Sequence, residues 1–324
     1  MRRILTVFMV LIICVLSFTC CMKEEIEGYP LSVNGTPIDG EIFRYYLDDV
    51  WNSPDSSGSK DGRITQATYK CIRYVAVNST FHSYGLSLTD DEKSKLAEKV
   101  NSLWNMFSGH YKSIGVSKQT FLKIKTSEEY IEKLRIYFFD TGGPDEISDA
   151  VLRGILMDRY IAFRYIRVPV IETDVYGNQR TFSETELAGL NTVFNNAMTK
   201  ITASYGLDNA YAEVVASFPF AEQTYETIVA GSEDHQFPSV FYDKIRSIEE
   251  GRSIAFQYED YAYLVYRVSI LSDASIFMAK RSDCLKFISE DPLQSKINMM
   301  CNAYQSVREL SLVNEYYSRV GNNR

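Results

Sequence analysis

The chain offers few side chains whose type and spacing could support catalysis or metal binding. It has three histidines, His82, His110 and His235, and none stands at a spacing typical of paired metal ligands. His235 lies in the acidic stretch Ser232–His235, where it is either a displaced catalytic group or, in the reading we favour, a solvated loop residue. There is no Cys-x-x-Cys, His-Glu-x-x-His or Gly-x-Ser-x-Gly motif and no phosphate-binding glycine loop. The sequence therefore predicts no metal and no cofactor.

Two adjacent cysteines, Cys20 and Cys21, suggest a different kind of chemistry. They close an apolar run from Ile4 to Phe18 that follows the cationic start Met1–Arg3. A cationic start, a short apolar run and small residues at its end predict an export signal over residues 1–21. The run is shorter than the ~20 residues of a membrane-spanning helix, so an uncleaved anchor helix is the less favoured alternative.

This boundary resembles a bacterial lipoprotein signal, in which a cysteine becomes the lipidated first residue of the mature chain. The resemblance implies lipidation of Cys21, with Cys20 as the alternative. Buried acyl chains contribute on the order of 0.8 kcal/mol per methylene, so several of them hold a protein stably on a membrane. We therefore expect a protein that is lipid-anchored on the extracytoplasmic face of the cell membrane.

The remaining cysteines, Cys71, Cys284 and Cys301, are odd in number and do not form a disulfide framework. Cys71 and Cys301 fall at apolar positions of helical patterns, which is typical of small buried hydrophobic residues. A bridge between Cys284 and Cys301 stays open at this point.

Composition limits the classes of function. Loss of the two arginines in residues 1–21 would take the net charge from −8 to −10, which argues against nucleic acid as a partner. The roughly 300 residues that follow are enough for one large or two ordinary domains. The 23 tyrosines and 18 phenylalanines suit recognition of varied polypeptides, although core packing is the more common use of such residues.

The elements that must position any site are predicted in two blocks, of which the first is helical. A short strand from Leu31 leads into an Asn34-Gly35 turn. Helical apolar spacing and capping boxes at Thr89 and Thr126 predict the helices that follow. These helices cover Asp39–Trp51, Ile64–Tyr84, Thr89–Tyr111 and Thr126–Phe138, with a surface loop at Ser53–Gly62.

The second block mixes strands and helices. A capping box at Ser183 opens a helix, and the two-residue spacer Glu259-Asp260 predicts a hairpin. Asp291-Pro292 is typical of a helix start, and the apolar stripe behind it needs a partner surface, for which the first block is the natural candidate. The predicted elements are strands Ala162–Ile171, Ser253–Tyr258 and Tyr261–Ile270, and helices Ser183–Met198, Ala210–Ser217 and from Asp291 onward.

The opening Val33–Leu47, in which Val-Asn-Gly leads into a helix with a Phe and Tyr-Tyr-Leu, is similar to that of exported foldases of the PrsA/SurA type. The resemblance implies an α+β, mainly α fold. A SurA-N-like helical domain over 29–158 would be completed by C-terminal helices over 272–324 that pack back on it. A parvulin-like small antiparallel sheet with helices would be inserted over 159–271.

In parvulin domains, two histidines on the first and last strands face each other beneath the proline site. Tyr165 and Tyr263 occupy these two positions here, and Phe241 matches the aromatic residue that packs on the substrate proline. The family's Gly-Gly-Asp-Leu-Gly segment is missing. The resemblance thus implies weak or absent isomerase activity at these positions; alternatively, Tyr165 and Tyr263 are simply strand residues that pack on neighbours.

The sequence leads to a tethered extracytoplasmic chaperone or foldase whose partners are unfolded or nascent secreted polypeptides. The alternative is an active peptidyl-prolyl cis-trans isomerase with the same fold. A lipoprotein that captures small solutes would need two lobes of alternating strands and helices, and the helical first half of this chain argues against it.

Overall fold

The computed structural model describes residues 28–53, 58–173, 175–201, 206–233 and 237–322. The predicted export signal, Cys20, Cys21 and His235 lie outside these residues. The chain divides into two compact units, one made of the described residues up to Ile136 and from Pro292 onward, the other of Tyr137–Asp291. The fold is α+β and mainly α, as predicted.

The elements are numbered in chain order over the described residues. The helices are α1 (Gly40–Asn52), α2 (Lys60–Ser83), α3 (Asp90–Ser113), α4 (Lys118–Phe139), α5 (Asp149–Arg159), α6 (Glu184–Met198), α7 (Asp208–Ser217), α8 (Ser239–Arg246), α9 (Ala274–Asn302) and α10 (Leu310–Asn322). The strands are β1 (Leu31–Val33), β2 (Thr36–Ile38), β3 (Tyr160–Pro169), β4 (Ile171–Thr173), β5 (Gln179–Thr181), β6 (Glu222–Gln223), β7 (Ile228–Gly231), β8 (Ser253–Tyr258), β9 (Tyr261–Val268) and β10 (Ser306–Arg308).

In the first unit, a three-stranded antiparallel sheet of order β10-β1-β2 joins the two ends of the described chain. The Asn34-Gly35 turn is present, with φ of 46° and 78°, a conformation that Asn and Gly adopt most readily. Asn34 also receives the amide of Gln305 on its side-chain oxygen at 2.8 Å. The turn thus binds the segment that leads into β10.

A close approach of α1 and α10 defines the core behind this sheet. Phe43 meets the ring of Tyr316 edge-on at 6.3 Å between centroids, and both side chains are buried. A Cβ on Gly40 would overlap the Tyr316 hydroxyl, so only glycine fits at the start of α1. The apolar face predicted for Asp39–Trp51 is therefore a core face, packed against α2, α10 and the sheet.

Two predicted helix starts in the first unit are wrong. The predicted loop Ser53–Gly62 is too long, because α2 begins at Lys60 with Ser59 as its N-cap. Thr126 does not open a helix, because α4 runs without a break from Lys118 and the Thr126 hydroxyl donates to the Leu122 carbonyl within it at 2.8 Å. The residue before α4, Ser117, caps the helix, because its side-chain oxygen accepts the amide of Thr120.

Pro292 also lies inside a helix rather than at the start of one, which makes the predicted cap at Asp291 wrong. The helix α9 extends from Ala274 to Asn302. Its fully buried side chains recur every four residues on both sides of the proline, at Leu285, Ser289, Leu293, Ile297 and Cys301. A continuous buried row of this kind favours one helix despite the hydrogen bond that a proline removes.

The second unit is built on a twisted antiparallel sheet of order β6-β3-β9-β8, with β7 paired to β3 on the same edge as β6. All of its strands lie between Tyr160 and Val268. One face packs on α6 and α7 through Ile166, Val168 and Leu264, and the other face packs on α8. The capping box at Ser183 and the hairpin with its two-residue turn at Glu259-Asp260 are confirmed.

Candidate functional site

Tyr165 and Tyr263 lie on the same face of the sheet. The strand alternation directs Phe163, Tyr165 and Arg167 to the side of α8, while Ile166 faces α6 and α7. Tyr263 is paired with Arg167, one diagonal step from Tyr165. The two tyrosine rings meet edge-on, with 5.4 Å between centroids and an interplanar angle of 75°. The structure thus brings together the two strand positions that the sequence singled out.

The backbone at Tyr165 is fixed by Thr224, in the segment after β6. The Tyr165 amide donates to the Thr224 hydroxyl oxygen at 2.9 Å, and the Tyr165 carbonyl accepts the Thr224 amide at the same distance. A strand held on both edges, by Thr224 and by β9, keeps the ring above it in one place.

Phe241, on α8, belongs to the same hydrophobic cluster as these two tyrosines. Pro238 precedes the helix and accepts the Phe241 amide on its carbonyl at 2.9 Å. The Phe241 ring stands edge-on to Tyr263 at 5.0 Å and is only 2% exposed. Phe241 therefore forms the floor of the site, and the half-buried rings around it form the part that solvent reaches.

Sequence reasoning missed three of these surrounding rings. Phe256 packs edge-on against Phe241 at 5.2 Å, Tyr258 at 5.8 Å, and Phe237 stacks on it at 5.4 Å. A signal for two of them was present, because a two-residue hairpin turn pairs Phe256 with Tyr263 across the strands and puts Tyr258 on the same face. We call the half-buried rings of this face the aromatic surface, which consists of Tyr165, Phe237, Phe256, Tyr258 and Tyr263.

A charged pair borders the aromatic surface. Two guanidinium nitrogens of Arg167 donate to Glu222, at 2.8 and 2.6 Å, and the same guanidinium lies 4.5 Å from the ring centroid of Tyr261. Burial lowers the pKa of Arg167, but the hydrogen bonds to Glu222 outweigh it and the pKa is raised overall. Burial raises the pKa of Tyr263 above its usual 10, although Arg167 beside it acts in the opposite direction. The Tyr263 phenol is therefore neutral near pH 7.

The arrangement suits binding better than proton transfer. A neutral phenol can donate and accept hydrogen bonds but is not a general base at pH 7. Aromatic rings at 5 to 6 Å from one another present faces and edges on which proline or another ring can stack. Over the described ranges there is no group of three or more His, Cys, Asp or Glu side chains placed to hold a metal ion.

The other side chains considered for chemistry have structural surroundings. His110 contacts Asp48, with 2.8 Å from Nε2 to the carboxylate, and His82 stands edge-on to Phe81 and Tyr130. Cys71, Cys284 and Cys301 are buried free thiols, so the possible bridge between Cys284 and Cys301 is not formed.

Among the described residues, no helix is both long enough and apolar enough to span a membrane.

The chain is similar over most of its length to solved structures of the foldase protein PrsA. The one from Lactococcus lactis has 12% identity, with 91% of this chain and 99% of that chain covered and a TM-score of 0.38. The one from Streptococcus pneumoniae has 12% identity, with 85% of this chain and 94% of that chain covered and a TM-score of 0.37. The one from Bacillus subtilis has 13% identity, with 80% of this chain and 84% of that chain covered and a TM-score of 0.28. No protein-family model and no curated protein sequence matches the chain.

Proposed function

We propose that this protein is a foldase that binds unfolded secreted polypeptides, and that the aromatic surface of its second unit holds proline or aromatic side chains of the client. The observation that carries the proposal is the cluster of five half-buried rings around the Phe241 floor. Stacking on fixed rings gives contact area without requiring one client sequence, because the rings lose little conformational entropy on binding.

Catalysis of proline isomerisation is expected to be weak or absent. Rotation about an Xaa–Pro bond has a barrier of about 20 kcal/mol, and an isomerase lowers it by holding the proline while its amide loses conjugation. Tyr165 and Tyr263 stand where the resemblance places the two parvulin histidines, and each phenol is longer than an imidazole. We expect this exchange to retain binding and to lose most of the rate acceleration.

An active peptidyl-prolyl isomerase is the second candidate. The edge-on contact between Tyr165 and Tyr263 favours it, since the resemblance implies that the side chains at these two positions face each other. If this candidate is right, Tyr165→Phe should slow isomerisation, because the variant keeps the ring and removes only the hydroxyl. A variant with the parental rate would argue against an active site at these tyrosines.

Membrane tethering completes the proposal. The apolar run and Cys21 support export and lipidation, and Cys21 lies ten positions before the first residue of β1, Leu31. Cys21→Ala should release the protein from the membrane fraction, and Cys20→Ala serves as its matched control. Release by Cys20→Ala and retention by Cys21→Ala would move the lipid to the other cysteine.

The test uses the chain from Met22, which keeps every described residue, and two assays on the same preparations. We expect suppression of aggregation of an unfolded protein, together with a tetrapeptide isomerisation rate close to the uncatalysed one. Tyr263→Ala should weaken suppression, whereas Tyr225→Ala, which removes a ring that is 76% exposed and outside the aromatic surface, should not. Folded protein without suppression would refute the proposal, and clear acceleration would replace it with the isomerase.

A further inference from the structure

A groove in the Tyr137–Asp291 unit shares no residue with the aromatic surface. It has a volume of about 960 Å³ and lies between the end of β3, the β4–β5 hairpin and the Ser217–Glu222 segment that follows α7. Its volume lies at the upper end of the range of small-molecule sites, which is also enough for a few residues of extended polypeptide.

The floor of the groove is apolar. Val168 and Phe218 line it, and Phe182 and Phe218 contact each other with 6.2 Å between ring centroids. At the rim, Phe220 is 79% exposed, although the next residue, Ala221, is buried. A large ring held at the mouth of an apolar groove offers a surface for the apolar side chain of a ligand.

One backbone edge also faces this region. Tyr165 directs its amide and carbonyl to the edge of β3 that pairs with β6. Residues at every second position of a strand direct these groups to the same edge, so those of Arg167 and the carbonyl of Pro169 lie on it as well. Arg167 is the last residue of β3 that β6 pairs, so Pro169 presents its carbonyl oxygen to this edge beyond the end of β6. Proline brings no amide hydrogen to the edge, so an extended ligand would meet an acceptor here without a competing donor.

The charged side chains around the groove are mainly acidic. Glu172, Glu186 and Glu222 line it against the single cation Arg180, and Arg180 donates to both Glu172 and Glu186. The hydrogen bond from Arg180 holds the pKa of Glu186 at about 2, which keeps this carboxylate charged at neutral pH. Glu222 is also bound by Arg167, so the three carboxylates exceed the two guanidinium groups that bind them by one negative charge. This excess negative charge complements a cationic ligand.

We propose that this groove binds a short extended segment of an unfolded polypeptide in which a lysine or arginine stands next to an aromatic or aliphatic residue. The proposal rests on the function proposed above and adds a second client site with a charge preference. The chain's own residues Met22–Glu27 carry three carboxylates and one lysine, so they lack this complementarity.

The probe is a fluorescein-labelled decapeptide with two leucines and two lysines and without proline or aromatic residues, together with its twin in which glutamate replaces both lysines. Fluorescence anisotropy is measured with the chain from Met22 at low and at physiological salt. We expect the lysine peptide to bind at least fivefold more tightly than the glutamate peptide, with a smaller ratio at higher salt. Glu172→Gln should reduce that ratio, since it removes one carboxylate and leaves the bond between Arg180 and Glu186.

The decisive variant is Phe220→Ala, with Tyr225→Ala as its matched control, because both residues are exposed and neither substitution opens a core cavity. Phe220→Ala should weaken binding of the lysine peptide by about five- to tenfold, whereas Tyr225→Ala should stay within about twofold. Equal affinities of Phe220→Ala and Tyr225→Ala, or equal binding of the two peptides, would overturn the groove.

Different results would refute the foldase proposal and the groove proposal. Suppression of aggregation by a protein whose peptide binding ignores Phe220 would keep the foldase and reject the groove. Binding of the lysine peptide that depends on Phe220, in a protein that does not suppress aggregation, would keep the groove as a peptide site and reject the foldase.

Discussion

Replacement of Phe241 by alanine should destabilise the second unit strongly. The ring is 2% exposed and lies within 5.0 to 5.4 Å of Tyr263, Phe256 and Phe237. Truncation of a buried phenylalanine costs about 3–5 kcal/mol through lost burial and the cavity left behind. In a unit of 155 residues, from Tyr137 to Asp291, this corresponds to a fall in Tm of about 6–20 °C.

The assay is differential scanning calorimetry of the chain from Met22, with two further variants. Val240→Ala removes a neighbouring side chain that is 57% exposed and should change the free energy of unfolding by less than about 0.5 kcal/mol. Phe241→Leu fills most of the cavity and should cost about 1–2 kcal/mol. A loss below about 1 kcal/mol for Phe241→Ala would refute the reasoning, because the ring would then not be part of the core and a client could reach it directly.

Two further predictions concern the first unit. The Glu41 carboxylate accepts the amide and the hydroxyl of Ser117 at 2.9 and 2.6 Å. Burial raises the pKa of Glu41, but these hydrogen bonds outweigh burial, so the pKa is lowered overall. The stabilisation from the charged carboxylate is therefore present above about pH 4.3 and is lost as the pH falls through the folded-state pKa. Glu41→Gln should therefore cost about 1 kcal/mol at pH 7 in urea unfolding and much less near pH 3, and a pH-independent cost would contradict this. Thr89→Ala should lower the free energy of unfolding by about 1 kcal/mol, because Thr89 caps α3. Thr126→Ala should leave it unchanged or raise it slightly, because Thr126 lies inside α4. Equal losses of the two variants in urea unfolding would contradict the different positions of these threonines.

The capping signatures show where local sequence is sufficient and where it is not. At Thr89 and Ser183, the chain directly before the signature is not helical, so the local hydrogen bonds decide the helix start. At Thr126, the same residue types are embedded in a helix whose buried side chains include Phe121 and Leu134. Burial of those side chains outweighs a cap that would contribute only about 1 kcal/mol.

The apolar pattern of the sequence did not predict the continuous helix through Pro292, for a related reason. Ser289 occupies one step of the buried row between Leu285 and Leu293 and interrupts the apolar pattern. Its hydroxyl donates to the Leu285 carbonyl at 2.5 Å, so the helix satisfies this polar group internally. A serine with such a bond is tolerated in a buried row, but a pattern of apolar letters does not reveal it.

The sequence by itself determined the elements whose causes are local. Alternation of side chains along β3 and the two-residue turn between β8 and β9 fix which residues share a face within each of these elements. The expectation that Tyr165 and Tyr263 face each other came from the family resemblance, and it is the long-range pairing of β3 with β9 that brings the two rings together. Tertiary structure alone decided that Phe241 is a buried floor, that Phe237 joins its rim, and that the β4–β5 hairpin and the segment after α7 enclose a groove. These features depend on how separate segments pack in three dimensions, and packing of distant segments leaves no period or spacing in the sequence to read.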